Sequence, residues 1–178
     1  MRVARTRDIP ALATLIPVSV RALQAAYYTS AQINAAIGPV FGVDRELFRD
    51  GTYFVVEHGN TLVGGGGWSM RKSLFGSDEG RTPSESALLD PAQDAARIRA
   101  FFVHPDWARR GIGTRIIFAC EYAIARAGFQ SIELVATLAG EPLYAAFDYA
   151  AVERYDIPLT GSLTLPVVRM VKELSSPR

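Results

Sequence analysis

The stretch RIRAFFVHPDWARRGIGT, residues 97–114, decides the fold. Residues 97–103 are rich in branched and aromatic side chains and read as a strand, which His104 and Pro105 end. From 111 to 127 apolar residues return every three or four positions: Ile112, Ile116, Cys120, Ala123, Ile124 and Ala127. That spacing predicts a helix with one buried stripe, and Arg115, Glu121 and Arg126 fall off it. Gly128 suits a left-handed stop, and 131–136 is a second strand. The unit is therefore β-loop-α-β.

Working outward, 3–5 is a short strand, followed by helical patterning over 11–26 and over 30–36, where Gly38 and Pro39 end it. Asp8 is placed to cap the first helix, Pro10 falls in its first turn, and Pro17 should kink or divide it. Segments 53–57 and 61–69 form an antiparallel hairpin about His58, Gly59 and Asn60. The polar run 71–96 is too long for a routine connection. Downstream come a short helix at 142–147, strands at 151–157 and 163–171, and a tail, 175–178, expected to fray. The expected architecture is α/β (α+β): a single domain over 1–174 with a mixed, mostly antiparallel central sheet flanked by helices.

The chain has 178 residues, 49% of them hydrophobic, enough for one core without staples. Nineteen Lys and Arg against eighteen Asp and Glu leave a formal charge of +1, which recommends neither nucleic acid nor an anionic membrane as partner. One cysteine and two isolated histidines, His58 and His104, exclude a disulfide framework and make no metal site. The apolar run after Arg2, Arg5 and Arg7 is interrupted by Pro17 and too short for a membrane span, so the expected compartment is the cytoplasm. The total conceals a contrast: 78–94 holds five acids and one arginine, formally −4, whereas 97–115 holds five arginines and one aspartate, formally +4.

The loop Arg109, Arg110, Gly111, Ile112, Gly113, Thr114 lies where a strand feeds a helix. The first helical turn has unpaired N–H groups and the positive end of the dipole, so a glycine-bearing loop lets backbone amides close around phosphate oxygens. A diphosphate is the natural guest, against the bland alternative of glycines that merely serve the turn. A dinucleotide fold fails because Ile116 stands at the third glycine position. A phosphate loop at Gly64 to Gly67 fails because Arg71 stands where a glycine must precede Lys72. Four glycines in a strand mark a bulge or a close backbone approach, and they could floor a groove.

Residues Phe101, Phe102, Val103, His104, Pro105, Asp106 and Trp107, the loop from Arg109 to Thr114, and the later Pro142, Leu143, Tyr144 ahead of Asp148 and Tyr149 resemble the GCN5-related N-acetyltransferases (GNAT). The resemblance implies direct transfer of an acetyl group from acetyl-CoA to an amine of a small molecule or peptide, by a monomer or homodimer. It implies central strands splayed after Val103 and Ala136, a backbone N–H near Phe102 or Val103 on the thioester carbonyl, and Tyr144 as the acid for the departing thiolate. Two positions depart from the family pattern. Ala108 stands where Gln or Arg is usual, and strand 97–103 carries Arg97 and Arg99 but no carboxylate base. The base is then water, a loop residue such as Asp78, Glu79 or Glu85, or unnecessary. A non-catalytic acyl-CoA-binding module on the same fold and a nucleotide-binding regulatory domain are the alternatives. Cys120 is expected in the core and His104 in the turn. Trp68, Tyr27, Tyr28 and Phe75 are candidates for an acceptor pocket, although aromatics in such places usually build core. The acidic segment is placed to face a cationic amine.

Overall fold

The computed structural model describes residues 1–75 and 82–174. The loop acids Asp78 and Glu79, and the tail at 175–178, lie outside them. The strands are β1 (Arg2–Val3), β2 (Tyr53–His58), β3 (Thr61–Ser69), β4 (Ala96–Val103), β5 (Ser131–Thr137), β6 (Ala150–Pro158) and β7 (Thr164–Glu173). The helices are α1 (Ile9–Leu23), α2 (Ser30–Ala36), α3 (Arg45–Arg49), α4 (Ile112–Arg126) and α5 (Glu141–Ala145). All seven strands join one sheet in the order β1-β2-β3-β4-β5-β7-β6, and β4 with β5 is its parallel pair. The expected mixed sheet and β-loop-α-β unit are both present. Among the described residues no helix is long and apolar enough to cross a membrane.

Helix α4 lays Ile112, Ile116, Ile117, Cys120 and Ile124 on one face of the sheet, where Ile98, Ile132, Leu134 and Met170 meet them. Each fully buried isoleucine contributes on the order of 1.5–3 kcal/mol. Ala127, placed on that stripe from the sequence, is exposed, because the helix ends at Arg126 and Gly128 turns the chain away at φ +90°. On the opposite face α1 and α2 cover Phe102, Leu165 and Val167.

Three local expectations change. Pro17 neither divides nor ends α1, which runs unbroken from Ile9 to Leu23. The Asp8 carboxylate does not cap α1: it turns back to accept the Arg5 N–H at 2.7 Å and the Arg2 guanidinium at 2.7 and 2.9 Å. That ion pair outcompetes a helix N–H and holds the Asp8 carboxyl down at about 2. Helix α3, unforeseen, begins at Asp44, whose carboxylate accepts the Leu47 N–H. In the long connection, the described residues fold back: Lys72 N–H reaches Ala87 O, Ser73 N–H reaches Glu85 O and Leu89 N–H reaches Met70 O.

The glycine run in β3 has a steric cause. Phe102 pairs with Gly65 and Arg99 with Gly67, so Ala100 and Phe101 together oppose Gly66. This bulge places Ala100 at φ +61°, and the Tyr53 hydroxyl pins it by donating to Ala100 O at 2.8 Å. A Cβ on Gly66 would sit 2.5–2.8 Å from the Phe101 ring. Past the bulge the faces exchange, so Phe102 enters the α1/α2 layer while Phe101 and Val103 join the α4 layer. Gly66→Ala should therefore destabilise the fold by about 1–3 kcal/mol through a displaced Phe101. Urea unfolding measures this, and an unchanged midpoint would show that the ring has room to retreat.

Candidate active site

Parallel pairing of β4 and β5 comprises Ala96↔Ile132, Arg97↔Glu133 and Ile98↔Leu134, and then stops. The splay thus opens at Arg99 and Val135, earlier than the Val103 and Ala136 expected from the sequence. Beyond it β4 stays bonded to β3 and β5 to β7, so the two inner edges face each other unpaired. The cause is the bulge at Ala100 and Phe101, which bends β4 away.

Facing amides alternate along an antiparallel pair. His104 N–H bonds Val63 O at 2.9 Å, so two residues earlier the Phe102 amide also turns to β3, and Val103's turns to the splay. There the Val103 N–H donates to Ser19 Oγ of α1 at 3.2 Å. Of the two amides expected to polarise a carbonyl, the one on the open edge is Val103's.

After β4 a single turn, Pro105–Trp107, is fixed by His104, whose Nδ1 accepts the Asp106 N–H at 3.3 Å. His104 thus serves the turn. Gly111 then begins α4 at φ +78°, a conformation that suits glycine. The first bond within α4 runs from Arg115 N–H to Gly111 O, and no side chain caps the helix, leaving the Ile112, Gly113 and Thr114 amides without intrahelical partners. A Cβ on Gly113 would stand 3.0 Å from Leu143 Cδ2 of α5, so glycine keeps this approach narrow but open.

Loop and splay border one cavity of about 770 Å³. Phe102, Val103, Arg109, Gly111, Ile112, Gly113, Thr114 and Tyr144 all line it. Arg110 does not: its guanidinium lies over the Trp107 ring, 4.8 Å from the centroid. Tyr144 is 7% exposed, packs edge-on against Phe101 and Tyr149, and its hydroxyl has no hydrogen-bond partner among the described residues. Burial pushes its phenol well above the usual tyrosine range, so it remains a donor throughout neutral pH. Cys120 is fully buried and its thiol is likewise pushed up, as befits a core residue.

The other candidates separate. Tyr27 and Phe75 line the cavity. Trp68 instead packs edge-on against Phe129 in the α4 layer. Tyr28 is structural, donating to Pro166 O at 2.7 Å and accepting from Leu138 N–H at 2.9 Å. Glu85 accepts the Thr82 amide and hydroxyl, Asp94 accepts the Asp90 N–H, and neither they nor Asp90 line the cavity. Contrary to expectation, the described part of the acidic segment does not face the site. Among the described residues no group of three or more His, Cys, Asp or Glu is placed to hold a metal ion.

Sequence reasoning missed Ser19 and a buried ion cluster. Arg99 lines the cavity at 5% exposure, with Nε 2.9 Å from Asp44 Oδ2, Nη2 2.9 Å from Glu46 Oε2 and Nη1 2.8 Å from Ser73 O. The signal for Asp44 was its position three residues before Leu47, a capping spacing; nothing in the sequence tied it to Arg99.

A sheet parted beside an uncapped helix start presents amides from both to one cavity, an arrangement suited to an extended anionic ligand. A family model, Acetyltransferase (GNAT) family, matches residues 20–149. The chain belongs to that family of acetyltransferases. Among solved structures, a GCN5-related N-acetyltransferase from Rhodopseudomonas palustris superposes with TM-score 0.69 at 21% identity, covering 96% of this chain and 92% of that one. The PaiA N-acetyltransferase from Thermoplasma acidophilum, in complex with coenzyme A, gives 0.65 at 14%, covering 97% and 96%. The yncA protein from Salmonella typhimurium with its cofactor acetyl-CoA gives 0.60 at 13%, covering 99% and 94%. At these identities the likeness is one of fold. A search of curated proteins finds no match.

Arg99→Leu should take from Asp44 and Glu46 the buried guanidinium they share and destabilise the protein by about 3–5 kcal/mol. Urea unfolding reads this; a loss below about 1 kcal/mol would mean that the two carboxylates are neutralised by other means.

Proposed function

We propose that the protein transfers the acetyl group of acetyl-CoA directly to an amine of a small molecule or peptide in the cavity at the β4–β5 splay. The supporting observation is the uncapped α4 start, with its Ile112, Gly113 and Thr114 amides, set beside the unpaired β4 edge. The residues fit the cofactor: Gly111 and Gly113 leave the approach open, and Arg109 lines the same end of the cavity. Acetyl-CoA supplies an acetyl group already activated as a thioester. The three α4 amides, with the helix dipole and Arg109, bind its pyrophosphate. Arg110 adds only distant attraction from its seat on Trp107. Ala108 offers no polar side chain, so the backbone carries this binding. The Val103 N–H, passed from Ser19 Oγ, donates to the thioester oxygen, where charge builds during transfer.

Tyr144 donates its unpaired hydroxyl to the departing sulfur. Its raised pKa matches this task, because the same apolar surroundings raise the basicity of a thiolate lodged there. Cys120 takes no part. No carboxylate lines the cavity among the described residues, so the amine gives up its proton to water or arrives neutral. That same lack favours a second reading, a module that binds acyl-CoA without turnover. The near-neutral overall charge of +1 and the single cysteine support a cytoplasmic protein with neither nucleic-acid nor membrane partners, and the family resemblance supports a monomer or homodimer.

Thiol release from acetyl-CoA in the presence of amines divides the readings: transfer requires amine-dependent release, whereas binding without release supports the module. Tyr144→Phe should lower kcat about 100-fold with CoA affinity nearly kept; an unchanged kcat removes Tyr144 from the mechanism. Gly111→Val forces a branched residue to φ +78° beside the pyrophosphate site. Titration calorimetry should show at least tenfold weaker CoA binding, and undiminished affinity would contradict the assignment of the loop.

A further inference from the structure

We infer that the acceptor is a monoamine with an apolar body, aromatic or branched aliphatic, bound without charge in the lobe between α1, α2 and β7. The inference rests on the acetyl-transfer reading above and deepens it. The cavity has two ends on opposite faces of the sheet. The α4 end carries the loop amides, Arg109 and α5, whereas the α1/α2 end is walled by Tyr27, Val40, Phe41, Phe75 and Leu165. That wall is held in shape from both sides. Tyr28 ties the chain after α1 to Leu138 N–H and Pro166 O, and Gln32 Nε2 donates to Thr164 O at 2.7 Å.

Charge narrows the occupant. Among the described residues the cavity has two charged side chains in its lining, Arg109 at the loop and Arg99 at the splay. The Arg99 guanidinium is engaged by Asp44, Glu46 and Ser73 O, so it is not offered to a substrate carboxylate. Both acids are themselves buried against Arg99, and Arg71 Nε lies 3.8 Å from Glu46 Oε1. Among the described residues no carboxylate lines this lobe to receive the several ammonium groups of a polyamine or lysine-rich peptide, and an acidic amino acid would find no unengaged cation short of Arg109 at the loop. Bringing an unpaired charge into such a lobe costs several kcal/mol. The polar side chains there are the Ser19 and Tyr27 hydroxyls and the Gln24 amide, whose buried Oε1 has no hydrogen-bond partner among the described residues, enough for the N–H groups of one amine.

The missing carboxylate also predicts a kinetic signature. An alkylamine with a pKa near 10 is neutral in about one molecule per thousand at pH 7, so its rate rises about tenfold per pH unit until that pKa.

The experiment is thiol release from acetyl-CoA by the wild-type protein with phenethylamine, spermidine, a lysine-containing tripeptide and glutamate. Phenethylamine should exceed the other three at least tenfold in kcat/KM at pH 8, and its kcat/KM should climb about tenfold per unit from pH 7 to 9. Val40→Glu, which sets a carboxylate in the lobe, should narrow the preference for phenethylamine over spermidine at least tenfold while CoA affinity stays within threefold. Preference for spermidine, the tripeptide or glutamate, or a pH-independent rate with phenethylamine, overturns the acceptor class and leaves acetyl transfer standing. Failure to bind CoA, or to release thiol with any of the four, overturns both.

Discussion

Everything the site can do depends on three backbone pairs. Strands β4 and β5 bond at Ala96, Arg97 and Ile98 and no further, because a bulge at Ala100 and Phe101 bends β4 away. A continuous ladder would satisfy every amide on both edges and close the sheet. The interruption leaves an edge that an extended ligand arm can join as a short strand would. Its position is set from the far side: Gly66 leaves room for the Phe101 ring, and Tyr53 holds Ala100 O.

The same bulge sorts the two ends of the cavity. By exchanging faces at Phe101 it sends Phe102 toward α1 and α2 and turns Phe101 toward Tyr144. The α4 end then gathers the charge-binding groups, namely the amides after Gly111 and Arg109. The opposite end is apolar, and the nearby Arg99 is engaged by Asp44 and Glu46. A phosphate-bearing carrier and an apolar amine would thus approach from opposite faces and meet at the splay, beside the unpaired Tyr144 hydroxyl and the Val103 N–H that Ser19 Oγ holds in the meantime.

Much of this was legible in the sequence because it is local. The period of Ile112, Ile116, Cys120 and Ile124 fixes α4, Gly111 marks its start, and four consecutive glycines announce a close approach. What escaped is non-local or competitive. Asp8 does not cap α1 because Arg2, six residues earlier, and the Arg5 N–H claim its carboxylate. Asp44 and Glu46 look like surface charges until the fold brings Arg99 between them, and Glu85 and Asp94 of the long loop look like part of a substrate face until they are seen bonding to their neighbours. Which amide of β4 faces the splay depends on register with Val63, and no local pattern encodes it.

The central claim is that backbone amides of the splay and of the α4 start receive the acetyl carrier. Amide hydrogen exchange with and without acetyl-CoA tests it directly. Slowed exchange is expected at Val103, Ile112, Gly113 and Thr114, with no change at Val55 or Val171, which lie in strands paired on both sides away from the opening. Protection confined to other parts of the chain, or none at saturating acetyl-CoA, would contradict the account.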